Sequence, residues 1–317
     1  MERILTYRVT ESDVAHASFG MCPVSRLLKH RLHLTESEIS RAKFLENGIT
    51  ADGRSIRTGD SLAPGQVLCV CLERTRKEDC TLEPFSFPLH ISYEDEDLIM
   101  MEKPAGMVTH PSHGHYRDSA ANAVAAYFYG KNQWILPRVA GRLDRDTSGL
   151  LVFAKNRAAA ARLARQRREG IFVRTYLALA EGTLPSFGII DMPLGPVVPH
   201  SSSSLGGKSA VTRYRTLDCR TLAEGSVSLL EVTIATGRTH QIRVHLSSLD
   251  HPLLGDPLYH GDPDASCFSS HFKRAALHAH TVVCRQPFTG KPIRVTAGLP
   301  HDFSSFLLQY GLSIPEK

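Results

Sequence analysis

The chain has 317 residues, 42% of them hydrophobic and 22% charged, as expected of a soluble globular protein with room for two domains. A formal net charge of +5 and a pI near 8.8 suit a polyanionic partner without establishing one. Seven cysteines, an odd set with no C-x-x-C pair, argue against a disulfide scaffold or zinc ribbon, and with no signal-like start and no apolar run of spanning length a cytoplasmic protein free of membranes is expected.

Alternation of Leu5, Tyr7 and Val9 with Thr6, Arg8 and Thr10 predicts a strand near the start. Between Val24 and Leu34 a helix is predicted, with Val24, Leu27, Leu28 and Leu32 on one face and Arg26, Lys29 and Arg31 turned away. A second helix begins at Thr35, where Thr35-x-x-Glu38 is a capping box. Ile39, Ala42, Phe44 and Leu45 give its apolar side, Arg41 and Lys43 are basic, and Gly48 suits its end. Ile49-Thr50-Ala51, the Asp52-Gly53 turn and Arg54-Ser55-Ile56 read as a hairpin, and Gln66 to Leu72 as a strand. Two basic helices followed by a small sheet resemble the S4 RNA-binding module over roughly residues 15–75. The resemblance implies that Arg26, Lys29, Arg31, Arg41 and Lys43 meet RNA phosphates. Scattered basic residues more often form a solvated face, so the expectation attaches to the module rather than to any one of them.

Residues 73–88 are polar, charged and turn-rich, and read as a linker. Ile91-Ser92-Tyr93 and Leu98 to Met101 are strands around the acidic turn 94–97, followed by Lys103-Pro104-Ala105-Gly106-Met107-Val108. His110, His113 and His115 lie in a loop without a nearby carboxylate or cysteine at ligand spacing, so no metal is expected there. A helix spans Asn122 to Tyr129. Next comes the densest stretch of charge and turn chemistry, Gly141-Arg142-Leu143-Asp144-Arg145-Asp146-Thr147-Ser148-Gly149, running into the apolar strand Leu150 to Ala154. Loops held at the lip of a sheet are where rigid scaffolds carry chemistry. Asn156 caps a basic, Ala-rich helix to Glu169, and Arg174 to Gly182 reads as a strand containing Tyr176. The Ser/Gly-rich loop 201–207 precedes Lys208-Ser209, but Ser202 stands where a phosphate loop needs its first glycine. Strands Ala210 to Leu217 and Val227 to Ile234 lead into Thr236-Gly237-Arg238-Thr239-His240-Gln241-Ile242-Arg243-Val244-His245-Leu246, a turn entering a helix. Gly255-Asp256-Pro257 with Tyr259, Arg274 to Ala279 and Pro287 to Pro292 complete the ordered set.

Arg-Leu-Asp followed by Thr-Ser-Gly, with the motifs around Lys103, Tyr176, Arg243 and the closing segments, resembles the RluA-like family of pseudouridine synthases from about residue 89 onward. The family's usual residue before Arg-Leu-Asp is His, and here it is Gly141. The resemblance implies an α+β fold: a mixed, mainly antiparallel catalytic sheet at 89–317, preceded by a small S4-like α/β domain at 1–80 with a linker to about 88. It makes Asp144 the catalytic carboxylate, with Tyr176 and Arg243 beside it and Arg142 in the space the target base vacates.

These residue types suit that chemistry. A carboxylate acts as nucleophile or base while ionised, a guanidinium pairs with it, and a tyrosine offers a flat face and a hydroxyl. Pseudouridine formation breaks the N1–C1′ bond and rejoins uracil through C5 without redox change, so no cofactor is expected. Attack by Asp144 at C1′, attack at C6, and proton removal from C2′ all remain open at this level. The expected partner is RNA, foremost ribosomal RNA of the large subunit with transfer RNA as the alternative, and a monomer is expected. The competing readings are a catalytically silent RNA-binding ribosome-assembly factor and a metal-dependent nucleic-acid hydrolase, the latter resting on the histidines alone.

Overall fold

The computed structural model describes residues 2–15, 20–195, 207–223, 225–260, 268 and 271–315. Most of the serine-rich loop 201–207 lies outside the described residues, with only Gly207 inside them.

Residues 2–74 form a four-stranded antiparallel sheet in the order Glu2–Arg8, Val67–Arg74, Ile49–Ala51, Arg54–Ser55, with helices Val24–His30 and Glu36–Phe44 packed on it. Val24, Leu27 and Leu28 from the first helix and Ile39 and Ala42 from the second join Leu68 and Val70 in one core. The Thr35 box forms as expected, its hydroxyl accepting from the Glu38 amide at 3.2 Å while Glu38 reaches back to the Thr35 amide at 2.7 Å. The first helix stops at His30, short of the expected Leu34. There the chain turns back: Leu32 and Leu34 donate to the carbonyls of Leu27 and Leu28, and His33 takes the left-handed conformation with φ of 50°.

The larger part is a ten-stranded mixed sheet. Its main path runs Phe187–Asp191, Val211–Leu222, Gly225–Ile234, Val173–Glu181, Leu277–Arg285, Ser148–Ala154, Leu98–Lys103, Ile91–Glu94. Pairing is antiparallel except between Ser148–Ala154 and Leu277–Arg285. The central strand is buried on both faces, so it reads as a continuous apolar run. Leu151 and Phe153 enter one core with Ile99 and Met101, while Leu150, Val152 and Ala154 enter the opposite one with Leu98 and Met100. At the strand's entry a Cβ on Gly149 would lie 2.2 Å from the carbonyl oxygen of Ala279, and its φ is +106°. Only glycine lets the two backbones pair there.

The stretch after Val67–Arg74 is laid down on the larger unit. Leu82, Phe85, Phe87 and Leu89 pack against its core, and Asn122 donates to the Glu83 carbonyl at 2.8 Å. Ion pairs join the smaller part to the larger: Arg3 forks onto the fully buried Asp97 at 2.7 and 2.9 Å, Glu73 meets Arg138 at 2.7 Å, and Arg162 meets Glu38 at 3.3 Å. Cys22, Cys69, Cys71, Cys80, Cys219 and Cys284 are free thiols. Among the described residues, no helix is long and apolar enough to cross a membrane.

Candidate active site

Asp144 sits on the turn that enters the central strand, and that turn is pinned along its length. Leu143 is buried in the core, and its amide and carbonyl both bond the Thr109 hydroxyl, at 3.1 and 2.7 Å. The Arg145 carbonyl accepts from the Gly106 amide and from the Lys103 ammonium, each at 2.9 Å. The Asp146 carbonyl accepts from Arg274 at 3.1 Å. With its flanking backbone held this way, the Asp144 side chain faces a pocket lined also by Arg142, Arg167, Arg174, Tyr176, Arg238, His240 and Arg243. The Asp144 carboxylate forms no hydrogen bond or ion pair among the described residues, which leaves its oxygens open to the pocket.

Lys103 is the group under the turn. It is 1% exposed, and its Nζ donates to the carbonyls of Pro104, Met107 and Arg145 at 2.8, 2.8 and 2.9 Å. Burial pulls its ammonium down to about 7, partly offset by the charges of Asp146 and Asp144. The three carbonyls still favour the ammonium, because only that form has three protons to give.

Tyr176 reaches the pocket from the strand Val173–Glu181, in register with Val232 and Ala279. Arg243 comes from the helix Gln241–Ser247 and is 4% exposed. Ile242 and Leu246, one turn apart, anchor that helix in the core, while Val244 is half-buried. The Arg243 fork is occupied by Asp256, with Nε and Nη2 donating to its two oxygens at 2.6 Å each. Asp256 also accepts from the Leu258 and Tyr259 amides at 3.0 and 3.2 Å. Burial works against the Arg243 charge, but Asp256 and then Asp144 outweigh it and hold the guanidinium above its ordinary value. The Tyr259 ring covers the guanidinium at 5.0 Å, and its hydroxyl bonds His240 Nδ1 at 3.0 Å. His240 opens the helix in the left-handed conformation, with φ of 55°. Burial and then Arg243 keep its imidazole below the usual histidine range.

The structure therefore brings Asp144, Tyr176, Arg243 and Arg142 to one pocket. Arg142 is exposed at its edge and forms no ion pair among the described residues. Arg26, Lys29, Arg41 and Lys43 lie on the two helices of the smaller sheet and Arg31 just past the end of the first, all outside that pocket. Lys29 pairs with Glu36 at 2.6 Å and Arg31 with Asp13 at 2.5 Å, while Arg41 bonds the Ser37 carbonyl at 3.1 Å. His113 and His115 pair locally with Tyr116 and Asp118, and no group of three or more metal-ligating side chains converges among the described residues. Asp256 and Lys103 lie within the motifs but are not among the expected site residues. The signal for Asp256 was a lone acid thirteen positions beyond an arginine that the fold buries.

The family described as RNA pseudouridylate synthase matches residues 97–248. A protein named ribosomal large subunit pseudouridine synthase D from Nitrosomonas europaea is 39% identical over 228 residues, 70% of this chain and 65% of that one. Its namesake from Xanthomonas campestris is 35% identical over 290 residues, 85% of this chain and 84% of that one. The solved structure of human RNA Pseudouridylate Synthase Domain Containing 1 is similar with a TM-score of 0.53 at 27% identity, covering 69% of this chain and 87% of that one.

Proposed function

The chain belongs to the RNA pseudouridylate synthase family, and from that premise we propose that it isomerises uridine to pseudouridine in large-subunit ribosomal RNA with Asp144 as its catalytic carboxylate. The observation that carries the assignment to Asp144 is its open carboxylate, on a turn held by Thr109, Lys103, Gly106 and Arg274, facing a pocket shared with Tyr176 and Arg243. Preorganised charge of this kind costs no rearrangement when the reaction begins. Arg243 supplies a fixed cation toward Asp144, because Asp256 and Tyr259 hold its guanidinium in place. Tyr176 offers its ring to the uracil and its hydroxyl to the proton that leaves C5. The target nucleotide has to leave its stack to reach them, and Arg142 at the pocket's edge fills the gap.

Ribosomal RNA is favoured by the names of the relatives, which speak of the large subunit. In the same reading, residues 1–80 are an S4-like RNA-binding domain, joined by a linker to about 88 to the catalytic domain at 89–317. Arg26, Lys29, Arg31, Arg41 and Lys43 give its helices the charge to meet phosphates, and the protein works as a monomer in the cytoplasm. The test uses unmodified transcripts carrying tritium at C5 of uridine, since forming the C5–C1′ bond expels that hydrogen. Release from large-subunit ribosomal RNA and none from transfer RNA is expected. Release from transfer RNA alone would replace the substrate. No release from either would return the silent RNA-binding reading.

A further inference from the structure

The pocket holds more positive charge than its carboxylates balance. Arg243 is matched by Asp256, which leaves Asp144 facing Arg142, Arg167, Arg174 and Arg238, none of them in an ion pair among the described residues. Arg167 comes from furthest outside the motifs. It stands in the last turn of the helix Arg157–Arg168, where helix propensity alone accounts for an arginine.

Its guanidinium lies between the loop that carries Asp144 and the loop that leads to Arg243. A Cβ on Gly141 would meet Arg167 Nη1 at 3.0 Å and Cζ at 3.2 Å, and one on Gly237 would meet Nη2 at 3.2 Å. Gly141 has a φ of +93° and stands where the motif it resembles carries His. Space beside that position is taken here by a guanidinium arriving from another element. The residue as a whole is exposed, and its charged end is partly buried beside the two loops. That loss of water, and then the charge of Arg174, lower its proton affinity from the ordinary arginine value.

Among the described residues no acid neutralises this pair. The Arg167 guanidinium donates no hydrogen bond among the described residues. Among the described residues Arg174 donates to the carbonyls of Arg142, Ala140 and Gly141, at 3.4, 3.5 and 3.2 Å, its guanidinium lies 5.9 Å from the Phe172 ring centre, and its buried Nε has no hydrogen-bond partner. Two cations set side by side against long carbonyl bonds are costly unless an anion joins them. A planar guanidinium takes phosphate through two parallel bonds.

We propose that Arg167, backed by Arg174, forms a phosphate subsite at the lip of the pocket that holds the RNA phosphodiester next to the uridine being modified. It rests on the reading of the pocket as the place of modification. A flipped nucleotide brings its flanking phosphates to the mouth of such a pocket, beside the base-binding groups rather than among them.

The test compares wild type, Arg167→Gln, Arg167→Met and Arg167→Lys on an unmodified large-subunit ribosomal RNA transcript across a potassium chloride series. Two readouts are taken: KM from tritium release, and affinity from filter binding of the same transcript. Loss of one charge-assisted contact is expected to raise KM about tenfold at fixed salt. It is also expected to flatten the log–log salt slope by about 0.7–0.9. Arg167→Lys, which keeps the charge, should recover most of the slope. Gln and Met remove the charge with different stems, so a folding failure of one leaves the other readable. Wild-type slope in Arg167→Gln or Arg167→Met, or equal flattening in Arg167→Lys, would overturn the subsite. If no chain releases tritium and Arg167→Gln still flattens the binding slope, the modification reading fails while the phosphate contact stands.

Discussion

The pair Arg243–Asp256 makes the sharpest energetic prediction. Both side chains are buried, at 5% and 0% exposure, and two bonds of 2.6 Å join them. Asp256→Ala removes those bonds, strands the Leu258 and Tyr259 amides, and leaves a buried cation with Asp144 as the acid still acting on it. Removing one partner of a buried pair costs about 3–5 kcal/mol, a large part of the ~5–15 kcal/mol that holds a typical domain. Replacing both partners by apolar groups is far cheaper, because no charge is left behind. The double variant Arg243→Met/Asp256→Leu is therefore expected to be more stable than Asp256→Ala, although it removes the cation the chemistry uses. Urea denaturation at unchanged m-value reads the stabilities, and tritium release reads the activity. In Asp256→Ala the freed guanidinium turns toward Asp144, and kcat/KM should fall at least about a hundredfold, equivalent to ~2.7 kcal/mol. An Asp256→Ala protein within about 1 kcal/mol of wild type, or a double variant no more stable than the single, would refute the reasoning.

Lys103→Met leaves three carbonyls without their donor under the Asp144 turn. A loss of about 2–4 kcal/mol in urea is expected, with kcat reduced more than KM is raised. His278 is pushed down to about 3, first by burial and then by His280 and Arg274. The unfolded chain binds that proton near 6.5 and the native chain does not, so its share of the stability is complete above pH 6.5. That share is lost as pH falls toward 3. Denaturation midpoints measured from pH 7 to 4 should decline less steeply in His278→Gln than in wild type. On the small domain, Lys29 and Arg31 are already engaged by Glu36 and Asp13. Neutralising Arg26 and Lys43 should therefore flatten the salt slope of RNA binding more than neutralising Lys29 and Arg31, read by filter binding of one transcript.

The parts of the fold legible in the sequence were those with local patterns. The central strand shows as an apolar run, the Thr35 cap as a box, and the Asp52-Gly53 turn as a hairpin, with Asp52 at φ 47° and Gly53 at φ 79°. Asp144, Tyr176 and Arg243 are separated by 32 and 67 positions, and only the ordered motifs linked them before the sheet placed them on one pocket. The supports were harder to see. Thr109 grips Leu143 across 34 positions and Arg274 grips Asp146 across 128, and no periodicity encodes such a contact. Arg167 is one of several arginines on a basic helix, and no local pattern singles it out from its neighbours. Its guanidinium lies beside two glycines, Gly141 and Gly237, each on a different loop. The basic character of the small domain was legible, but not which cations its own acids engage, because Asp13, the partner of Arg31, stands 18 positions away in the chain.

The central claim is that Asp144 does the chemistry. Tritium release from large-subunit ribosomal RNA labelled at C5 of uridine, with wild type beside Asp144→Asn, tests it most directly, since the substitution keeps size and removes only the carboxylate. Release by the wild type and none above background by Asp144→Asn is the predicted result. Equal release by both chains would contradict the account and move the catalytic carboxylate elsewhere.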